Sequence, residues 1–344
     1  MHRLPAKAFS YHKRTSRSKA HRCLILCFLF LAPSFSFARQ PQQPASAPAS
    51  PQKVIIDTDI GDDIDDAFAI GLALRSPELQ ILGITATFGD TTERAKLLDR
   101  FLAEVGRSDI PVAAGKPTPP KTPFTQRPYA DSGRFSKPSH LDAATFILDQ
   151  IHRYPGQITL IAIGPLMNVG AIIKKDPNTF RQLKRVVMMG GSIDRGYDDL
   201  PYLPPHGPDA EWNIVNDVPS AQKLFDAGVP IYMMPLDATQ LKLDEVKRAV
   251  LFKQGTPVTD QLALLYHQWG QQTPTLYDPM TIAFILSPGI CPTKPLHIQV
   301  DRKGFTRSTP GASNAQVCLH SDVDSFFDLF MHRLIAPPAA STSH

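Results

Sequence analysis

Short, uncharged, β-branched runs alternate with helical patterns through most of this chain, and that alternation limits the fold more than any other feature. Val54-Ile55-Ile56 and residues 81–88, 110–113, 158–163, 186–189 and 231–234 read as strands. Residues 67–74, closed by Ser76-Pro77, and residues 91–105, with Ala95, Leu98, Leu102 and Val105 on one face, read as helices. Helices also fit residues 141–151, a stretch from Leu166, residues 219–227, and stretches from Leu243 and Val258. Strands at 296–300 and 316–319 and a helix near 325–334 close the chain, while the Pro-rich segments 117–138 and 196–210 read as loops. Strands without a polar face, joined by helices, imply an α/β fold: an open, mostly parallel, doubly wound (Rossmann-like) sheet flanked by helices.

The N-terminus reads as an address. Residues 1–22 carry seven Lys or Arg and no Asp or Glu, residues 23–33 are apolar, and Ser36-Phe37-Ala38 offers small residues at a cleavage point. This is the pattern of a secretory signal peptide, residues 1–38, and the apolar run is short for a membrane span. A retained anchor is the competing reading. Residues 39–52 are Pro, Ala, Gln and Ser without periodicity, a disordered tether. Residues 53–344 then form one domain, exported to a periplasm or beyond the cell, with no later segment reading as a span. The formal net charge of +4 comes from the leader. The remainder is mildly acidic and has no basic block for nucleic acid. Cys23 and Cys27 leave with the leader; Cys291 and Cys318 stay, either paired in an oxidising compartment or as two buried thiols.

One stretch concentrates the chemistry. Asp57, Asp59, Asp62, Asp63, Asp65 and Asp66 fall within ten residues, between a strand end and a helix start. Ligand sites of open α/β sheets lie at such turns. Crowded carboxylates repel one another, and a hard divalent ion such as Ca²⁺ or Mg²⁺, which prefers oxygen ligands, would relieve them. The bland alternative is a solvated acidic turn with Asp caps. A parallel sheet would gather this turn, Asp90, Ile163-Gly164, Gly190-Gly191 and Asp237 along one edge, as one pocket built from many loops.

Four segments, in order, resemble the inosine–uridine-type nucleoside hydrolases over nearly all of residues 53–334. Asp57-Thr58-Asp59-Ile60-Gly61 leading to Asp65-Asp66-Ala67 is similar to the family signature. Residues 161–168 resemble its central strand and turn, Ala210-Glu211-Trp212-Asn213-Ile214 its ribose-binding segment, and Tyr277-Asp278-Pro279 its late aspartate at a helix start. The resemblance implies calcium-dependent hydrolysis of the N-glycosidic bond of ribonucleosides, giving free base and ribose in purine or pyrimidine salvage. It implies Asp59, Asp66, Asp278 and the Ile163 carbonyl as Ca²⁺ ligands, with Asp59 also the general base toward the attacking water. It places Asp65, Glu211 and Asn213 on ribose hydroxyls, Asp57 and Tyr277 behind them, and the chain in a homodimer or homotetramer. Two extra residues stand between Gly61 and Asp65-Asp66, so Asp63 competes with Asp65 for its role. Asp90 stands where many relatives carry a sugar-contacting asparagine, and Tyr277 where purine-cleaving relatives often carry histidine.

Two other functions compete. Asp57-Thr58-Asp59 also suits a metal-dependent phosphatase, although that chemistry wants a cation facing the phosphate and no well-placed Lys or Arg accompanies the aspartates. A nucleoside- or sugar-binding protein without turnover is the third reading. Trp212 reads as core packing, and His206, in a Pro-rich loop, as a candidate leaving-group acid.

Overall fold

The computed structural model describes residues 50–131, 135–137, 139–198 and 206–336. Residues 1–49, which hold the expected leader and most of the expected tether, and parts of both Pro-rich segments lie outside the described residues. Eleven strands occur among them: β1 (Gln52–Thr58), β2 (Leu79–Ala86), β3 (Val112–Ala114), β4 (Leu141–Asp142), β5 (Thr159–Ala162), β6 (Arg185–Met189), β7 (Ile231–Met234), β8 (Thr293–Leu296), β9 (Ile298–Val300), β10 (Thr306–Ser308) and β11 (Ala315–Cys318). Nine of them form one sheet in the order β4-β3-β2-β1-β5-β6-β7-β11-β8. Every pairing in it is parallel except that of β11 with the edge strand β8.

The order is the doubly wound one. From β1 the chain steps outward through β2, β3 and β4, then returns to the other side of β1 and steps outward again from β5. The reversal lies between β1 and β5, and a crevice opens there beyond their C-terminal ends. Both faces of these strands are covered, as their unbroken apolar runs imply. Val54, Ile56, Ile161 and Val187 join the core on one face; Ile55, Leu160, Val186 and Met188 join the other. The helix Asp65–Leu74 is buried from Asp65 to Ala73 and packs on the helix Pro279–Leu286.

Local chemistry moved several boundaries. Gln52, read as the last tether residue, opens β1 because its register places it beside Leu79. Leu141 and Asp142 form a short edge strand before the helix Ala143–Arg153, because extended Asp142 caps that helix by accepting from the Thr145 N–H at 2.9 Å. The strand expected over 296–300 breaks at His297: β8 pairs with β11, and β9 pairs with β10 in a separate hairpin. Pro295 sits in β8, an edge strand, where a missing N–H is tolerated. Short helices at Arg127–Ala130, Pro177–Phe180 and Trp212–Val215 escaped the periodicity, each being a single turn. Cys291 and Cys318 form a disulfide with Cα atoms 5.6 Å apart. Among the described residues, no helix is long and apolar enough to cross a membrane.

Candidate active site

Beyond the β1–β5 crevice lies a cavity of about 450 Å³. Asp59, Asp63, Asp65, Asp66, Ile163, Glu211, Asn213, Tyr277 and Asp278 all line it, so the topology assembles nearly all the residues singled out in the sequence. Asp59, Asp65, Asp66 and Asp278 are each no more than 7% exposed, which excludes a solvated acidic turn.

Each carboxylate is placed by its element. Asp65 and Asp66 occupy the first turn of the helix Asp65–Leu74, and Asp278 stands just before the helix Pro279–Leu286. Packing of these two helices brings their N-terminal ends together, where the backbone dipoles favour negative charge. One carboxyl oxygen from each of Asp65, Asp66 and Asp278 lies within 4.8 Å of the others, a grouping able to hold a metal ion. The Asp278 side chain makes no capping bond, so it is not consumed in ending its helix. Its backbone N–H donates to Asp65 Oδ2 at 3.3 Å. The Thr58 hydroxyl donates to Asp66. Asp65, expected on the sugar, joins this group because the Asp278 N–H holds its Oδ2, whereas Asp59, expected on the ion, lies outside the group and lines the same cavity.

Burial raises the whole group. Asp65, Asp66 and Asp278 are held well above the usual carboxylate range, first by burial and then by neighbouring charge, that of Asp63 on Asp65, of Asp59 and Asp65 on Asp66, and of Asp65 and Asp66 on Asp278. Asp59 is pushed up to about 7 by burial, against the pull of the Arg94 charge and of the neighbouring Trp212 indole. Four buried carboxylates with only oxygen donors and mutual repulsion fit a hard divalent cation. Mutual repulsion on this scale is what such an ion would remove.

The ribose-side residues are also held firmly. Glu211 caps the helix Trp212–Val215 and accepts from the N–H groups of Asn213 at 2.9 Å, Gly191 at 2.8 Å and Ile214 at 3.2 Å. Burial raises it to about 7 despite those three bonds. Gly191 reaches it from a left-handed backbone, φ +83°, so the Gly190-Gly191 pair is turn geometry. Asn213 Nδ2 donates to Met189 O at 3.1 Å and to the Ile163 carbonyl at 3.4 Å. Asp57 stands behind the cavity wall, accepting from Thr85 Oγ1 at 2.5 Å and Asn168 Nδ2 at 2.7 Å, and burial pushes it up to about 7. Asp63 is exposed on the cavity lining, and Tyr277 packs edge-to-face on Tyr197 at 6.2 Å.

Some residues are not brought in. Asp90 faces a neighbouring cavity; it caps the helix Thr91–Glu104 through the Glu93 N–H at 3.2 Å and lies 3.7 Å from Arg127. Asp237 accepts from the N–H groups of Ile193, Asp194 and Arg195 and so anchors the turn after β6. His206 is exposed, lies 3.6 Å from Asp209 and does not line the cavity. Trp212, read as core, is half-buried on the cavity wall, edge-on to Phe88 at 5.8 Å.

Other lining residues carried no signal in the sequence: Thr122, Thr125, Tyr197, Trp269 and Gln271 arrive from loops and a helix end far away in the chain. Arg94 did carry one. A cation in the first turn of a helix opposes the helix dipole, and it is buried there at 3% exposure.

The model of the inosine-uridine preferring nucleoside hydrolases matches residues 54–328. A pyrimidine-specific ribonucleoside hydrolase RihA of Citrobacter koseri is 31% identical over 315 residues, 82% of this chain and 97% of that protein. A solved plant nucleoside hydrolase superposes with a TM-score of 0.73 at 26% identity, covering 83% of this chain and all of the other. The purine-preferring ribonucleoside hydrolase from Gardnerella vaginalis gives 0.71 at 24% identity over 83% of this chain and 98% of its own, a likeness of fold.

Proposed function

Because the chain belongs to the inosine-uridine preferring nucleoside hydrolase family and is a ribonucleoside hydrolase, we propose that it cleaves the N-glycosidic bond with Ca²⁺ held by its buried aspartates. The convergence of Asp65, Asp66 and Asp278 beneath the cavity, with Asp59 on the same wall, carries this reading. Of that cluster, Asp66 and Asp278 would hold the ion together with Asp59 and the Ile163 carbonyl from the same wall, and Asp65 would stand between the ion and the sugar. A bound Ca²⁺ would supply positive charge and Lewis acidity to a water nucleophile and to the ribose hydroxyls. Asp59 takes the proton of the attacking water. Asp65, Glu211 and Asn213 bind the sugar hydroxyls, and their oxygens stabilise the ribosyl cation that develops as the base leaves. Glu211 is pre-oriented by its three backbone bonds, so it needs no rearrangement during reaction. The phosphatase reading loses its support, since Arg94 bonds the acidic turn from outside the cavity and no Lys or Arg lines it among the described residues.

Two variants test the assignment. Asp59→Asn keeps shape and an oxygen but cannot accept a proton at neutral pH, so turnover should fall about 10²–10⁴-fold. Asp278→Ala removes an oxygen ligand, so Ca²⁺ affinity should fall and excess Ca²⁺ should partly restore activity. Calcium-titrated kinetics on uridine and inosine, following free base, distinguish them. Wild-type turnover in Asp59→Asn would reject the base assignment.

A further inference from the structure

Arg94 is buried beneath the acidic turn, and its guanidinium bonds reach the ends of two strands. Nε donates to the Phe88 carbonyl at 2.8 Å, beyond β2. Nη1 donates to the carbonyls of Asp59 and, at 2.8 Å, Ile60, beyond β1. Nη2 donates to Asp62 Oδ2 at 2.9 Å. Among the described residues, no other Lys or Arg hydrogen-bonds residues 57–66. The neighbourhood is shaped to admit it. Gly89 has φ +62°, and a Cβ there would meet Arg94 Nη2 at 3.1 Å. Phe124 covers the guanidinium with its ring centre 5.4 Å away.

The same contacts also hold the neighbouring turn at Phe88. Phe88, whose carbonyl Arg94 holds, is a non-glycine residue at φ +59°, a strained conformation that persists only when neighbours impose it. Its ring meets Trp212 edge-on, and Trp212 lines the same cavity wall as Asp59. Arg94 therefore grips Asp59 directly at its backbone, and through the Phe88 carbonyl it holds the turn that packs Trp212 onto the same wall. A planar fork with five N–H donors satisfies this set of acceptors; a lysine ammonium, with three donors at one point, cannot span it.

We propose that Arg94 is a positioning residue for the hydrolysis, locking the turn from Asp59 to Asp62 so that Asp59 faces the Asp65–Asp66–Asp278 cluster before any ligand arrives. This rests on the nucleoside hydrolase reading for the reaction it serves, but its effect on cation binding stands apart from turnover.

The test uses the full chain as wild type, Arg94→Lys and Arg94→Met, with calorimetry of Ca²⁺ alone and kinetics on uridine and inosine at saturating Ca²⁺. Residues supporting a metal site typically carry about 10–100-fold of its affinity. Arg94→Met should weaken Ca²⁺ by that amount at unchanged stoichiometry and lower kcat about 10²-fold, the cost of a small misplacement. Arg94→Lys, which keeps the charge without the fork, should recover only part of both. Wild-type Kd and kcat in Arg94→Met overturn the proposal. So does reduced stoichiometry at wild-type Kd, which marks a residue that merely supports folding. If Arg94→Met does not fold, Arg94→Lys decides alone, and wild-type Kd and kcat in it are the overturning result. A wild-type chain without nucleoside turnover counts against the hydrolase reading only, because the Ca²⁺ dissociation constants still judge Arg94.

Discussion

Asp59 owes its place to a missing side chain. A Cβ on Gly164 would lie 2.7 Å from Asp59 Oδ1, 2.8 Å from its backbone N and 2.8 Å from Thr87 Cγ2, closer than real contacts allow. The Gly164 backbone closes the crevice between β1 and β5 at the point where the Asp59 carboxylate enters it. Gly164→Ala should therefore cost about 1–3 kcal/mol through overpacking and, by displacing Asp59, lower kcat by about 10²-fold. Denaturant unfolding and kinetics at saturating substrate measure the two effects. Wild-type kcat in a destabilised variant would show that Asp59 tolerates the shift. The glycine was visible in the sequence as a turn after a strand; its partner, 105 positions earlier, was not, because only sheet pairing brings the two together.

At the scale of elements, caps decided what a polar residue was doing. Asp278 precedes a helix and looks like a cap, yet makes no capping bond; Asp90 looks like a site residue, yet caps the helix Thr91–Glu104. Sequence spacing cannot separate these roles, since the difference lies in which way the side chain turns. Asp90→Ala should remove the cap at a cost of about 1 kcal/mol and leave KM for nucleosides at its wild-type value. Its pair with Arg127 is about half exposed, so that contact adds little. Thermal unfolding and steady-state kinetics are the measurements, and a large rise in KM would return Asp90 to the sugar.

For the whole molecule, the decisive feature is the concentration of buried carboxyl groups at one sheet edge. Asp57 and Glu211 titrate near 7 in the folded chain against ordinary values of 3.8 and 4.5. Across that interval the folded state holds more protons than the unfolded one, so this contribution to stability is present below it and is lost as pH rises through about 7. Carboxylates held low by their partners, such as Asp142 and Asp322, titrate beneath the window and do not cancel the trend. The melting temperature of chelator-treated protein should fall from about pH 4.5 to about pH 7.5, and Ca²⁺ should restore it most at the upper end, by binding the ionised cluster. A melting temperature that rises across the window without Ca²⁺ would contradict this account. The sequence by itself determined the parallel α/β architecture, because apolar runs without a polar face can only be buried on both sides, and it determined the acidic turn and the family, because those motifs are local. Only the tertiary structure decided that Asp65 converges with Asp66 and Asp278, that Asp90 turns away, and that Arg94 and Gly164 set the position of Asp59. Those relations join segments from different strands and helices, and their geometry exists only once the sheet has brought the strand ends to one edge.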